Sequence, residues 1–210
     1  VDTVLPRPRA DTSEIKDSDM RRYLCILGWL MFALLPGAGA AETPVLLVYG
    51  DSLSAGYGLP VQQSWPALLQ AELGRNNQPW KVVNASVSGE TTAGGLTRLP
   101  ATLKTHKPRK VVLELGANDG LRGLPLADME KNLASMIRLI QASGAQVHLV
   151  GMRIPTNYGA DYTGKFAAIY EKLARQYKTG LTPFLLAPSL DGADLFQPGQ
   201  RRVEGHVFRQ

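Results

Sequence analysis

The chain has 210 residues, of which 44% are hydrophobic and 20% are charged, a balance typical of a folded globular protein and not of a disordered one. This length favours one domain over two. The formal net charge of +5 is modest and no block of lysine and arginine stands out, so the sequence gives little support for a nucleic-acid partner.

The N-terminal part of the chain has the composition of a processing segment. Residues 1–19 are polar and irregular, and we interpret them as an upstream extension with Met20 as the true first residue. Residues 20–40 combine a basic start, an apolar run and a small-residue exit, which together are typical of a secretory signal peptide. The apolar run is shorter than the about 20 residues that span a bilayer, although an N-terminal membrane anchor is the alternative. We therefore expect cleavage after Ala40 and a periplasmic or secreted protein that keeps no stable membrane span.

Strand-like and helix-like segments alternate from residue 41 onward. Short apolar or β-branched runs predict strands at residues 44–49, 80–85, 110–115, 146–150 and 182–186. Helices are predicted at residues 65–73, 92–103, 126–143 and 162–177, and Pro100 is expected to bend or end the second of them. This alternation predicts a parallel sheet that is covered by helices on both faces.

Polar and glycine residues follow the first three predicted strands. The first strand leads into Gly50-Asp51-Ser52, the second into Ser88-Gly89-Glu90 and the third into Gly116-Ala117-Asn118. Because ligands bind at the carboxyl ends of strands in such sheets, we expect a hydroxyl, a glycine amide and a carboxamide to share one edge.

These three groups suit acyl transfer. The Ser52 hydroxyl could attack an acyl carbonyl if a base takes its proton. The backbone N–H groups of Ser52 and Gly89 and the side-chain amide of Asn118 could then bind the oxyanion that forms.

The motifs G-D-S-L at residues 50–53, S-G-E-T-T at 88–92 and G-x-N-D at 116–119 resemble three conserved blocks of the SGNH (GDSL-type) hydrolase family. Residues 152–159 are similar to a loop of the narrower acyl-thioesterase, lysophospholipase and arylesterase group, and the resemblance covers about residues 43–197. It implies an α/β fold, a flavodoxin-like three-layer α/β/α sandwich with a parallel five-stranded sheet. It further implies Ser52 as the nucleophile, an oxyanion hole of Ser52, Gly89 and Asn118, and no metal or other cofactor.

The end of the chain departs from this family pattern. The resemblance implies an Asp-x-x-His segment after the fifth strand, in which the His is the general base and the Asp orients it. Its expected place is near residues 198–202, where the chain reads Pro-Gly-Gln-Arg-Arg, and the chain stops at Gln210 before the last helix of the family. We therefore interpret residues 41–197 as the hydrolase domain and residues 198–210 as an atypical tail that arose from a frameshift or divergence.

Three histidines are the candidates for the missing base. We expect His106 to be a solvated surface residue and His148 to pack within its strand. His206 lies in the right part of the chain and is the tentative base, with a tail residue that has no catalytic role as the alternative. The carboxylates that could orient it are Asp191, Asp194 and Glu204.

Purely structural roles are the alternative for the other site residues. Ser52 could be a helix N-cap, Gly89 a turn glycine, and Asn118 with Asp119 the cap of the next segment. Asp51 is expected to shape the turn at the nucleophile. Arg153 could be a surface charge or could meet an acidic head group.

The sequence thus predicts an exported, monomeric serine esterase that acts on a small-molecule or lipid ester through an acyl-enzyme on Ser52. The substrates implied by the resemblance are aryl esters, lysophospholipids and acyl thioesters. Because the Asp-x-x-His segment is absent, a catalytically impaired or non-catalytic relative that binds acyl or glycan ligands is the main alternative. A nucleotide or phosphate binder would need a glycine-rich loop after the first strand, which residues 50–54 do not offer.

Overall fold

The computed structural model describes residues 42–186 in full and, further along the chain, the backbone of residues 200–203 and 206–209. The predicted signal peptide and upstream extension lie outside the described residues. The junction between the predicted hydrolase domain and its tail lies outside them as well.

Five strands form one parallel sheet in the order β2-β1-β3-β4-β5. Their bounds are Val45–Gly50 (β1), Lys81–Asn84 (β2), Lys110–Glu114 (β3), Gln146–Val150 (β4) and Gly180–Thr182 (β5). The strand order reverses direction between β1 and β3, and such a switch point is where flavodoxin-like sheets bind their ligands. The predicted α/β fold with a parallel five-stranded sheet is confirmed.

Six α-helices accompany the sheet between residues 42 and 186. They are Ser52–Ala55 (α1), Trp65–Arg75 (α2), Thr92–His106 (α3), Ala117–Leu121 (α4), Leu126–Ala142 (α5) and Ala160–Tyr177 (α6), and 3₁₀ turns occupy Val61–Gln63 and Thr156–Tyr158. In the tail, Gln200–Val203 (β6) and His206–Arg209 (β7) pair as antiparallel strands. These described tail residues are therefore strands and not the last helix of the predicted fold.

The side chains of β1 alternate between two cores on opposite faces of the sheet. Leu47 and Tyr49 pack into the larger core, which also contains the buried stripes of α3, α5 and α6. Leu46 and Val48 pack into the smaller core, against Trp65 and other apolar residues on the α2 side. Helices thus cover both faces, as the alternation of elements predicted.

The fifth strand differs from its prediction at residues 182–186. It spans Gly180–Thr182 and ends before Pro183, because proline has no N–H to donate to the sheet. At its start, a Cβ on Gly180 would lie 2.5 Å from Nδ1 of His148 on β4, so glycine leaves room for the imidazole ring.

The second long helix passes through Pro100, where it was expected to bend or end. α3 continues to His106 and closes with Lys107 in a left-handed conformation. Leu99 and Leu103 are buried on either side of the proline, so packing of the helix outweighs the about 3 kcal/mol that an interior proline costs.

Candidate active site

The turn between β1 and α1 carries Ser52 at the start of a helix. Asp51 caps this helix, since its Oδ1 accepts a hydrogen bond from the backbone N–H of Leu53 at 3.0 Å. The prediction that Asp51 shapes the turn is confirmed, and the alternative that Ser52 is itself the N-cap is wrong. Ser52 is the first residue of α1 and is half-buried.

A buried carboxyl group lies directly beneath this turn. Glu114, the last residue of β3, is 0% exposed, and its Oε2 accepts hydrogen bonds from Ser54 Oγ at 2.6 Å and from the Asp51 N–H at 3.3 Å. Trp65 Nε1 in turn donates to Ser54 Oγ at 3.3 Å. The turn that presents Ser52 is therefore held from below by a side chain of the neighbouring strand.

Two carboxyl groups beside the candidate nucleophile, those of Glu114 and Asp51, have raised pKa values. Burial raises the pKa of Glu114, and the nearby charge of Asp51 raises it further. Burial also raises the pKa of Asp51, an effect that the hydrogen bond from the Leu53 N–H partly offsets. Desolvation thus favours the neutral form of both acids beside the candidate nucleophile.

Asn118 connects all three strand exits. Its side-chain nitrogen donates to Oδ2 of Asp51 at 3.1 Å and to the backbone carbonyl of Glu90 at 3.0 Å. Asp51 directly precedes Ser52, and Glu90 directly follows Gly89. The amide of Asn118 therefore bridges the neighbours of the two other residues that the sequence predicted for the oxyanion hole.

The loop that contains Gly89 has a left-handed glycine at its tip. Gly89 has φ of 77°, and its carbonyl accepts a hydrogen bond from the Arg122 guanidinium at 3.1 Å. Glu90 pairs with Arg98 at 2.9 Å, and Arg98 also donates to the Ala85 carbonyl at 3.0 Å. These contacts fix the loop on both sides of its tip.

Asp119 anchors the start of α3 beneath the same loop. It is buried and accepts hydrogen bonds from the backbone N–H and the hydroxyl of Thr92, at 2.9 and 2.5 Å. The expected alternative, a cap on the segment that follows Asn118, is therefore corrected: Asp119 binds the helix that precedes it in the chain.

Ser52 and Asn118 line a cleft whose cavity volume is about 190 Å³. The rest of its wall is mainly apolar, and the apolar residues include Leu53, Leu121, Met152, Ile154, Pro155 and Phe184. Arg153 also lines the cleft, and its guanidinium lies 5.4 Å from the centre of the Phe184 ring. Gly89 is exposed and is not part of this wall.

The candidate bases lie apart from this cleft or outside the described side chains. His148 is half-buried in β4 with Nε2 2.9 Å from Thr182 Oγ1, and burial and the charge of Lys110 lower its pKa. His106 is half-buried at the end of α3. Neither lines the cleft. His206 lies on β7, where only the backbone is described, and its predicted carboxylate partners Asp191, Asp194 and Glu204 lie outside the described residues.

Two residues of the site were not found from the sequence: Glu114 and Arg122. Glu114 carried a usable signal, because an acidic residue inside an otherwise apolar strand must find partners when it is buried. Arg122 carried none, since it binds a loop that lies 33 residues away in the chain.

No group of three or more histidine, cysteine, aspartate or glutamate side chains in the described part of the chain could hold a metal ion. Among the described helices, none is long and apolar enough to cross a membrane.

A fold with a switch point at β1 and β3, and a serine and an asparagine in one cleft at that point, is the arrangement of SGNH-type ester hydrolases. The sequence profile of the GDSL-like lipase/acylhydrolase family matches residues 48–207, and the chain belongs to that family.

The individual relatives that the chain resembles are named as esterases and thioesterases. The chain is 50% identical over 165 residues to Esterase TesA of Pseudomonas aeruginosa, covering 79% of this chain and 81% of that protein. It is 44% identical over 160 residues to Thioesterase 1/protease 1/lysophospholipase L1 of Escherichia coli strain K12, covering 74% of each. The crystal structure of AlinE4, an SGNH-hydrolase family esterase, superposes with a TM-score of 0.71 at 42% identity, covering 75% of this chain and 84% of that one.

Proposed function

We propose that this protein is an exported serine esterase that hydrolyses acyl esters through an acyl-enzyme on Ser52. The observation that carries the proposal is the Asn118 amide, which bonds both to Asp51 beside Ser52 and to Glu90 beside Gly89. The bridge supports the proposal because it links the neighbours of Ser52 and Gly89, whose hydroxyl and N–H, together with the Asn118 amide, are the groups that acyl transfer uses.

In the proposed reaction, the Ser52 hydroxyl attacks the acyl carbonyl and loses its proton to a base. The backbone N–H groups of Ser52 and Gly89 and the Asn118 amide stabilise the tetrahedral oxyanion. In the free protein both N–H bonds of the Asn118 amide are engaged, so Asn118 exchanges its bond to Asp51 for the oxyanion. The protonated base gives this proton to the departing alcohol or thiol. The same base then takes a proton from water as the water attacks the acyl-enzyme, and returns it to Ser52 as the acid is released.

The base is assigned to His206 as part of the proposal, because neither His106 nor His148 lines the cleft. The second candidate function is a relative that binds acyl groups without turnover. It is favoured by the sequence of residues 198–202, which lacks the expected aspartate and histidine.

The substrates proposed are aryl esters, acyl thioesters and lysophospholipids. The apolar wall of the cleft suits an acyl chain, and the names of the relatives from P. aeruginosa and E. coli cover esterase, thioesterase and lysophospholipase activities. Arg153 is exposed at this wall. Its guanidinium therefore suits a phosphate group, either on the thiol part of an acyl thioester or on a lipid head group.

Hydrolysis of p-nitrophenyl butyrate tests the proposal, with Ser52→Ala and His206→Ala as variants. Ser135→Ala is the matched control, because Ser135 makes ordinary helix-surface hydrogen bonds on α5. We expect Ser52→Ala to lower kcat by at least about 10³-fold, as removal of a nucleophile does, and Ser135→Ala to leave it unchanged.

The same assay separates the two candidate functions. If Ser52→Ala keeps the turnover of the wild type, Ser52 is not the nucleophile. An inactive wild-type protein that still binds butyrate-like inhibitors would support the non-catalytic relative. Turnover that is lost in Ser52→Ala but kept in His206→Ala would place the base elsewhere.

A further inference from the structure

Glu114 is a buried acidic residue that the proposed reaction does not use. It ends β3 and pairs in register with Gly50, the last residue of β1. Its carboxyl is 0% exposed and lies below the turn that carries Ser52. Burying a carboxyl group costs free energy unless it is hydrogen-bonded, so the partners of this group indicate its role.

One oxygen of the Glu114 carboxyl accepts hydrogen bonds from residues on both sides of Ser52 in the chain. Oε2 accepts from the N–H of Asp51, the residue before Ser52, and from Oγ of Ser54, two residues after it, at 3.3 and 2.6 Å. Ser54 is itself fully buried and is fixed by the indole N–H of Trp65. The backbone around Ser52 is thus tied at two points to a strand of the sheet.

The turn is built to admit this carboxyl. A Cβ on Gly50 would collide with Oε2 of Glu114 and would lie 2.8 Å from both the Glu114 carbonyl and Ser54 Oγ. The glycine of the G-D-S-L motif therefore has a packing reason to be glycine. The other carboxyl oxygen, Oε1, is buried and has no hydrogen-bond partner.

We propose that Glu114 is a positioning residue for the nucleophile, because its carboxyl fixes the turn between β1 and α1 and so sets the direction of the Ser52 hydroxyl. This inference rests on the proposed function of Ser52. It adds that a hydrogen-bond acceptor at this point, and not a filled volume alone, is what the turn requires.

The surroundings of Glu114 favour a neutral carboxyl in this role. The titratable groups that interact with it are Asp51 from the turn and Tyr170 from α6, and neither of them is a cation. Burial and the Asp51 charge raise the pKa of Glu114. A glutamine, which keeps the acceptor oxygen and carries no charge, should therefore replace the glutamate with little loss.

Two variants of similar volume separate hydrogen bonding from packing. Glu114→Gln keeps an acceptor beneath the turn, whereas Glu114→Met fills the space without one. We expect Glu114→Met to lower kcat for p-nitrophenyl butyrate by about 10- to 100-fold with KM within about twofold, since small misplacements of a reacting group have effects of this size. Glu114→Gln should stay within about threefold of wild type, and Ser54→Ala, which removes one of the two bonds, should fall between them.

Hydrogen–deuterium exchange of the peptide that covers residues 50–55 gives a readout that does not need turnover. We expect its amides to exchange about tenfold faster in Glu114→Met than in wild type, and at the wild-type rate in Glu114→Gln. Wild-type exchange and kcat in Glu114→Met, or equal losses in the Gln and Met variants, would overturn the positioning role. If Glu114→Met does not fold, Ser54→Ala decides by the same two readouts.

Ser52→Ala in the same series keeps this inference apart from the proposed function. If that variant retains turnover, the nucleophile assignment fails whatever the Glu114 variants do. If it loses turnover while Glu114→Met behaves as wild type, only the positioning role fails.

Discussion

Asn118 has two side-chain N–H bonds, and both are used in the free protein. One N–H donates to the Asp51 carboxyl and the other to the Glu90 carbonyl. The amide that would donate to the oxyanion therefore also connects two loops. A residue with both roles should affect rate and stability together, but to different extents.

Asn118→Ala is expected to lower kcat by about 10²–10³-fold, the usual effect of removing one oxyanion donor. The lost bridge should also reduce the free energy of unfolding by about 1–3 kcal/mol, because the Glu90 carbonyl loses its partner. Ester hydrolysis and urea unfolding measure the two effects. Asn76→Ala is the control, since Asn76 makes similar side-chain bonds on an exposed helix end. A kcat within about threefold of wild type would remove Asn118 from the oxyanion hole.

Glu114 makes stability depend on pH in a direction opposite to that of a salt-bridged acid. Its pKa is raised in the folded state, so the folded protein binds a proton more readily than the unfolded chain does. The stabilising effect is complete below the unfolded pKa of 4.5 and is lost as pH rises through the folded pKa of about 8. The free energy of unfolding should therefore fall between about pH 4.5 and about pH 8.

Glu114→Gln should flatten this dependence, because an amide does not titrate. Part of the slope should persist, since burial also raises the pKa of Asp51. Urea unfolding of both proteins at a series of pH values measures the difference. Parallel pH profiles for the two proteins would show that Glu114 ionises normally in the folded state.

At the level of elements, the loop between β2 and α3 owes its shape to Gly89 and to partners from other elements. Gly89 has φ of 77°, and a Cβ there would meet only an Arg122 nitrogen at 3.8 Å. Space is available, so the effect of a side chain would come from the backbone conformation alone.

Gly89→Ala should therefore cost about 1 kcal/mol of stability. It should also lower kcat, and by more than the same backbone strain does at a glycine outside the site. Gly123→Ala is a matched control, because Gly123 has φ of 63° with no atom within 4 Å of an added Cβ. Unfolding and ester hydrolysis should show similar stability losses in the two variants but a rate loss only in Gly89→Ala. Equal rates in both would separate Gly89 from the reaction.

The elements that the sequence predicted well are those whose pattern is local. β4 and the long helix α5 follow directly from apolar runs and from the spacing of their buried residues. β5 was misplaced because an apolar run continues past Pro183, which cannot extend the sheet. The site divides in the same way: Ser52, Gly89 and Asn118 follow strands in recognisable motifs. The acidic Glu114 in an apolar strand signals that it needs partners, but the sequence could not identify Ser54, which is 60 residues away in the chain.

At the scale of the whole molecule, the N-terminal segment carries the prediction of export. Residues 20–40 have the composition of a signal peptide, and cleavage after Ala40 would remove the only cysteine, Cys25. Expression from Met20 in a bacterial host should give an exported protein whose N-terminal sequence begins at Ala41. Edman sequencing or intact mass measures this, and an uncleaved protein that stays with the membrane fraction would favour the anchor instead.

The central claim is that Ser52 is the activated nucleophile. Intact-mass analysis after treatment with a fluorophosphonate ester, which phosphonylates such a serine with loss of fluoride, tests it most directly. We predict one adduct per chain, located by peptide mapping on the peptide that contains Ser52 and absent from Ser52→Ala. A wild-type protein that takes up no adduct, or one that carries the adduct on another residue, would contradict the account.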